Sequence, residues 1–253
     1  IPFGEIVFDE VAENLPNGTF IIYALLETDN GKSEIYSTSP FTITGGVEEW
    51  NNVLVTDINR EKSHAQLMSF DNVENLQKKP IEESPYYYSL NGKWKFYHVD
   101  KPADRPTGFE SNDYDVSTWA EITVPGDWQR QGYDYPIYVN ATYPFPANPP
   151  HAPQNFNPVG SYKYKFTVPA TWGTDKNIII HFGSINSAGY LWINGNYVGY
   201  SEDSKTPAEW DITKYLVPGE NQLALQVFRW SDGSYLECQD FWRMSGIQRD
   251  VYL

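Results

Sequence analysis

The sequence predicts an all-β protein: a jelly-roll β-sandwich, preceded by a small, partial immunoglobulin-like strand unit and an extended arm. Three observations carry that expectation. Clean two-residue alternation appears in Tyr162-Lys163-Tyr164-Lys165-Phe166-Thr167-Val168, so one face of that segment is buried. Short segments of this kind recur through residues 86–253, punctuated by Pro and Gly, as expected for two packed sheets. Ala188–Ile193 and Asn196–Tyr200 flank Asn194-Gly195, the strongest short-range hairpin signal in the chain.

Taken in order, residues 1–46 read as three strands, Phe3–Val11, Gly18–Thr28 and Ser33–Ile43, with turns at Leu15–Gly18 and Asp29–Lys32. Three strands are marginal alone, so the unit reads as the end of an immunoglobulin- or fibronectin-like sandwich, and Thr44-Gly45-Gly46 as its linker. Residues 47–85 show weak alternation and charges throughout, an extended arm with one short helix over Asp71–Lys78. The sandwich follows over residues 86–253. Its predicted strands include Leu90–Phe96, Ala120–Val124 (ended by Pro125), Asn177–Phe182, Gln222–Phe228 and Gln248–Leu253, with a short helix or 3₁₀ turn over Trp210–Leu216.

Composition narrows the function. The chain has 253 residues, 40% of them apolar and 16% aromatic, enough for a substantial core. A net charge of −15 argues against nucleic acid, which needs clustered Lys and Arg, and against anionic membranes. No apolar run approaches the length of a membrane span. A neutral ligand is the remaining class. Cys238 is the single cysteine, so no internal disulfide forms. The histidines at 64, 98, 151 and 181 have no zinc-ligand spacing. The chain stops at Asp250-Val251-Tyr252-Leu253, in mid-strand by pattern, and is expected to be a fragment.

Two irregular stretches stand out. Trp128–Gly160 has no periodicity and is rich in Pro, Asn and Tyr. Its prolines restrict the chain before any ligand arrives. Aromatic faces and amides in such a loop suit a polyhydroxylated ligand. The second stretch, Phe228–Ile247, follows a strand and crowds two tryptophans, arginines and acids around Ser231-Asp232-Gly233. Loops of this length usually carry function. Asp232 offers a hard anionic oxygen to hydroxyl donors or an alkali cation. In that turn its side chain is expected to stay accessible, although turn aspartates commonly just accept backbone N–H bonds. Trp128, Trp192, Trp230, Trp242 and Tyr235 read as core rather than sugar platforms. Glu237 and Asp240 read as partners for Arg229, Arg243 or Arg249.

Residues 48–253 resemble the N-terminal sugar-binding domain of bacterial β-galactosidases of glycoside hydrolase family 2. The resemblance rests on an ordered set of motifs: Val124-Pro125-Gly126-Asp127-Trp128-Gln129, Tyr138-Val139-Asn140-Ala141-Thr142-Tyr143-Pro144, Asn148-Pro149-Pro150, Asn157–Tyr162, Trp192–Gly195, Val198–Ser204 and Arg229–Ile247. Trp230-Ser231-Asp232-Gly233-Ser234-Tyr235-Leu236-Glu237 is the sharpest of them. The resemblance implies a retaining hydrolase whose two catalytic glutamates lie on a later barrel, about 5 Å apart. The chain alone is therefore expected to be inactive, with no catalytic residue of its own. By the motif match, Asn140 and Asp232 reach the galactosyl group, and Asp232 also coordinates sodium. Magnesium belongs to the family's catalytic domain. The implied partners are a β-galactoside and the protein's own C-terminal barrel, with oligomerisation through the arm compatible with both. Cys238 departs from the family, which commonly has an acid there. The competing readings are a stand-alone carbohydrate-binding module and a family 2 hydrolase of another β-glycoside.

Overall fold

The computed structural model describes residues 48–253 throughout. In the preceding part it describes four strands: β1 (Gly18–Phe20), β2 (Tyr23–Glu27), β3 (Ser33–Ser37) and β4 (Phe41–Ile43). β1 pairs antiparallel with β4, and β2 with β3. The pairing of β2 with β3 is the expected hairpin. The predicted strand over 3–11, the turn at 29–32 and the linker lie outside the described residues.

From residue 48 the arm contributes the two-residue strand β5 (Asp57–Ile58) and one short helix, α1 (Val73–Lys78). The Asn72 side chain caps α1 by accepting from the Asn75 amide at 2.8 Å, satisfying an orphan donor of the first turn. The sandwich then follows. Its larger sheet holds β6 (Gly92–Val99), β7 (Ala120–Val124), β10 (Val159–Thr167), β13 (Ala188–Ile193), β14 (Asn196–Ser201) and β16 (Glu220–Phe228). With β5 it is seven-stranded, in the order β5-β14-β13-β16-β10-β6-β7. A second layer is built from β15-β11-β19 (Ala208–Asp211, Ile179–Phe182, Val251–Tyr252) and β12-β18-β8 (Ile185–Asn186, Gly246–Ile247, Gly126–Asp127).

Alternation places the core. From β10, Tyr162 and Phe166 point inward, joined by Leu223, Leu225 and Val227 of β16 and Trp94 and Phe96 of β6. They meet Ile180, Phe182, Trp210 and Val251 from the second layer. Central β16 is covered on both faces: Ala224 packs with Phe109 and Trp119, on the side away from that core. The β13–β14 turn forms as predicted, with Asn194 at φ 51° and Gly195 at φ 77°, the left-handed pair that matches strand twist.

Three expectations needed correction. Trp210 and Asp211 belong to strand β15; only Thr213–Tyr215 forms a 3₁₀ turn. Trp210 is fully buried, and pairing with Ile180 of β11 overrides the local turn signal. The stretch after Trp128 is not wholly irregular, since β9 (Ile137–Val139) pairs antiparallel with β17 (Phe241–Arg243). The two irregular stretches thus meet as one two-stranded ribbon. Trp242, on that ribbon, is 52% exposed and not core, whereas Trp128, Trp230 and Tyr235 are buried.

Candidate functional site

Where β16 ends, the chain enters a tightly tied segment. The Asn157 side chain pairs with the backbone of Trp230, donating to its carbonyl at 2.9 Å and accepting from its amide at 2.8 Å. Ser231 opens a 3₁₀ turn over Asp232–Tyr235. Its amide donates to Ser234 Oγ at 3.0 Å, and its hydroxyl is held by Ser187 at 2.7 Å. The turn therefore presents Asp232 from a fixed backbone.

Asp232 is buried, at 8% exposure, and not accessible as the turn motif suggested. The residues that close over it come from distant parts of the chain, which a local turn pattern cannot report. Glu202, from the exit of β14, is buried beside it, and Tyr200 hydrogen-bonds to Glu202 Oε1. Burial pushes the Glu202 carboxyl up to about 9, and the charge of Asp232 adds to the rise. Burial also raises Asp232, opposed by hydrogen bonds from Glu202 and from the Gly233 amide. Asp232 Oδ2 is buried and has no hydrogen-bond partner among the described residues. An anionic oxygen in that condition fits a cation or a hydroxyl donor. The described residues contain no group of three or more His, Cys, Asp or Glu placed to hold a metal ion. The arrangement thus presents one buried carboxylate oxygen without a partner among the described residues.

Glu237 and Asp240 do not pair with arginines. Glu237 accepts from the Ser204 amide at 2.9 Å and from the Ser204 hydroxyl at 2.5 Å. Asp240 accepts from the Tyr138 hydroxyl. Arg229 instead pairs with Asp134 and stacks over Trp230, 4.7 Å from the ring centre. Arg243 donates to the Ser234 carbonyl at 3.0 Å, bracing the turn from behind, and Arg249 donates to the Lys205 carbonyl at 2.7 Å. Cys238 is a free, half-buried thiol whose pKa is raised by burial.

Asn140 is exposed, and its carbonyl accepts from the Asp240 amide at 3.4 Å. It is thus tied to the far end of the second stretch and not to the Asp232 turn. Sequence reasoning gave no role to Asn148 and His151, which are tied to that turn. The Asn148 backbone N–H donates to Tyr235 Oη at 2.9 Å, and Tyr235 donates to the His151 carbonyl at 2.9 Å. The available signal was Asn148-Pro149-Pro150, a stiff step within the same loop. A separate cavity of about 240 Å³ lies under the arm, lined by residues that include His64, Trp172, His181 and Tyr252, but not by Asp232 or Asn140.

Residues 87–253 match the family model described as "Glycosyl hydrolases family 2, sugar binding domain". The chain belongs to glycosyl hydrolase family 2. Family 2 relatives include a "Beta-galactosidase" of Priestia megaterium, 51% identical over 213 residues, which covers 82% of this chain and 20% of the relative. Another, from Psychromonas ingrahamii, is 47% identical over 81% of this chain and 19% of its own length. The chain spans about a fifth of the length of the curated relatives it matches. Among solved structures, a Bacteroides uniformis beta-glucuronidase matches with TM-score 0.50 and 25% identity, covering 66% of this chain and 17% of that one. The domain is the sugar-binding domain of β-galactosidase-like proteins, and its sandwich is the family 2 fold.

Proposed function

We propose that this domain supplies part of the galactosyl pocket of a retaining β-galactosidase, whose two catalytic glutamates lie on a barrel outside these residues. The observation that carries the reading is Asp232 Oδ2, buried on a braced turn and without a hydrogen-bond partner among the described residues. The relatives named beta-galactosidase favour galactosides over other β-glycosides. Asp232 would hold a sodium ion through that oxygen; the ion supplies a positive point at which a sugar hydroxyl oxygen can bind. The chain's own residues keep Asp232 in place and limit water around it. An asparagine completes the polar contact, since an amide both donates and accepts and so reads hydroxyl orientation. That residue is Asn140 by the motif match.

Calorimetric titration of the 253-residue chain with galactose and lactose, with and without sodium, tests the half-site reading. No detectable binding is expected from the chain alone. Sub-millimolar, sodium-dependent binding would instead make it a stand-alone carbohydrate-binding module. In the full-length protein, Asp232→Asn is expected to weaken galactoside binding. A hydrogen bond to a charged group is worth about 1.5–3 kcal/mol, so the loss is roughly ten- to a hundred-fold. Asn140→Ala is expected to weaken the same affinity as well.

A further inference from the structure

We infer that Arg60 is a positioning residue for the Asp232 site: it fastens the backbone of Glu202, whose side chain in turn packs against the Asp232 turn. The inference rests on the sugar-binding reading of Asp232 given above.

The arm does more than lie on the sandwich at this point. β5 pairs with the end of β14, with Ile58 opposite Tyr200 and Asp57 opposite Ser201. The Glu202 amide donates to the Thr56 carbonyl at 2.9 Å. Asn59, at φ 55°, turns the chain and donates from Nδ2 to the Val198 carbonyl at 2.8 Å. Arg60 Nη1 then donates to Ser201 Oγ at 3.0 Å and to the Glu202 carbonyl at 3.1 Å. The Arg60 side chain is only 14% exposed, and its contact with an acid, Asp57, is a loose 3.5 Å. Its guanidinium is thus directed at the strand exit and not at solvent.

The other side of that exit is the site. Glu202 Oε1 accepts from Tyr200, and a methyl placed on Gly233 would meet Glu202 Oε2 at 3.1 Å. Gly233 is the residue after Asp232. Two residues beyond Glu202, Ser204 holds Glu237 on the far side of the same turn. The segment Ser201–Ser204 is therefore held between the arm and the Asp232 turn. Slack on the arm side reaches Asp232 through one residue, and an error well below the width of an atom matters for a ligand contact.

The test uses the full-length protein and an aryl β-galactoside. Arg60→Ala is expected to raise KM about ten-fold with kcat little changed, the signature of lost uniform binding. Arg60→Lys, which keeps the charge and one donor, is expected to fall between. In an Asp232→Asn background, Arg60→Ala is expected to add less than about two-fold, because the two act through one contact. KM within about two-fold of wild type for Arg60→Ala, or effects of the two changes that multiply, would overturn the inference. Should Arg60→Ala fail to fold, Arg60→Lys carries the test, and KM equal to wild type overturns it. Asp232→Asn alone separates the two levels: if it leaves KM unchanged, the sugar-binding reading fails, and the role of Arg60 falls with it.

Discussion

Arg229 shows what a single buried charge asks of the fold. Its side chain is fully buried, and burial lowers its pKa to about 10, which leaves it charged near neutrality. Asp134 pairs with it, the Tyr135 carbonyl accepts from it at 3.0 Å, and Trp230 offers it a ring face. Removing one partner of a buried pair strands the other charge, at a cost of about 3–5 kcal/mol. Asp134→Ala is therefore expected to lower the denaturant midpoint strongly with little change in slope, as measured by equilibrium unfolding of the chain. Local sequence pointed instead to Glu237 and Asp240, the acids nearest the arginines. The true partner lies 95 positions earlier, in a loop that periodicity could not place. The identity of Asp232 as a site residue was legible from its turn and motif, but its burial was not. That depends on Glu202 and Tyr200, contributed by another strand.

Among the elements, the arm combines strong local anchors with a pH-dependent anchor at His64. His64 Nδ1 lies 2.7 Å from the Ala65 carbonyl, and Nε2 lies 2.7 Å from Glu209 Oε2. Both neighbours are acceptors, so only the imidazolium satisfies both. Hydrogen bonding to the Ala65 carbonyl, then to Glu209, raises the pKa of His64 above its ordinary value of 6.5. Glu209 also binds His181 Nδ1 at 2.6 Å, and that bond is the main cause of its lowered pKa. The sign follows for each. The His64 contribution is complete below pH 6.5 and is lost as pH rises through its elevated folded pKa. The Glu209 contribution is lost only as pH falls through a depressed carboxylate pKa. The Glu61 amide, bonded to the Glu209 carbonyl at 2.8 Å, reports the anchor. Its hydrogen-exchange protection, corrected for intrinsic rate, is expected to fall as pH rises past neutrality, and to lose that dependence in His64→Gln. The β13–β14 turn was legible from Asn194-Gly195 alone, because the pair itself dictates the backbone. Gly195→Ala leaves room for the methyl but places it at φ 77°, so a loss of about 1–2 kcal/mol is expected in thermal unfolding. The β9–β17 ribbon was not legible, since three-residue strands carry too little alternation to register.

For the whole molecule, the sandwich was readable because its two faces demand alternation, and Tyr162–Val168 alternates accordingly. The order of strands in the sheet was not, because β16 sits between β10 and β13 only through contacts distant in sequence. The same order has a consequence for solubility. An edge strand presents unpaired N–H and C=O groups to any other chain that can align with it. At one end of the large sheet the two-residue β5 is the edge, and it covers only the final part of the six-residue β14, through Ile58 and Asp57. Gly199, within that strand, has no space for a side chain, because the Ile58 carbonyl and the Trp210 indole lie directly over it. A version of the chain beginning at residue 61 would expose β14 as a narrow, apolar-backed edge. Light scattering should show it self-associating at concentrations where the intact chain, protected by its cover strand and its net charge of −15, stays dispersed.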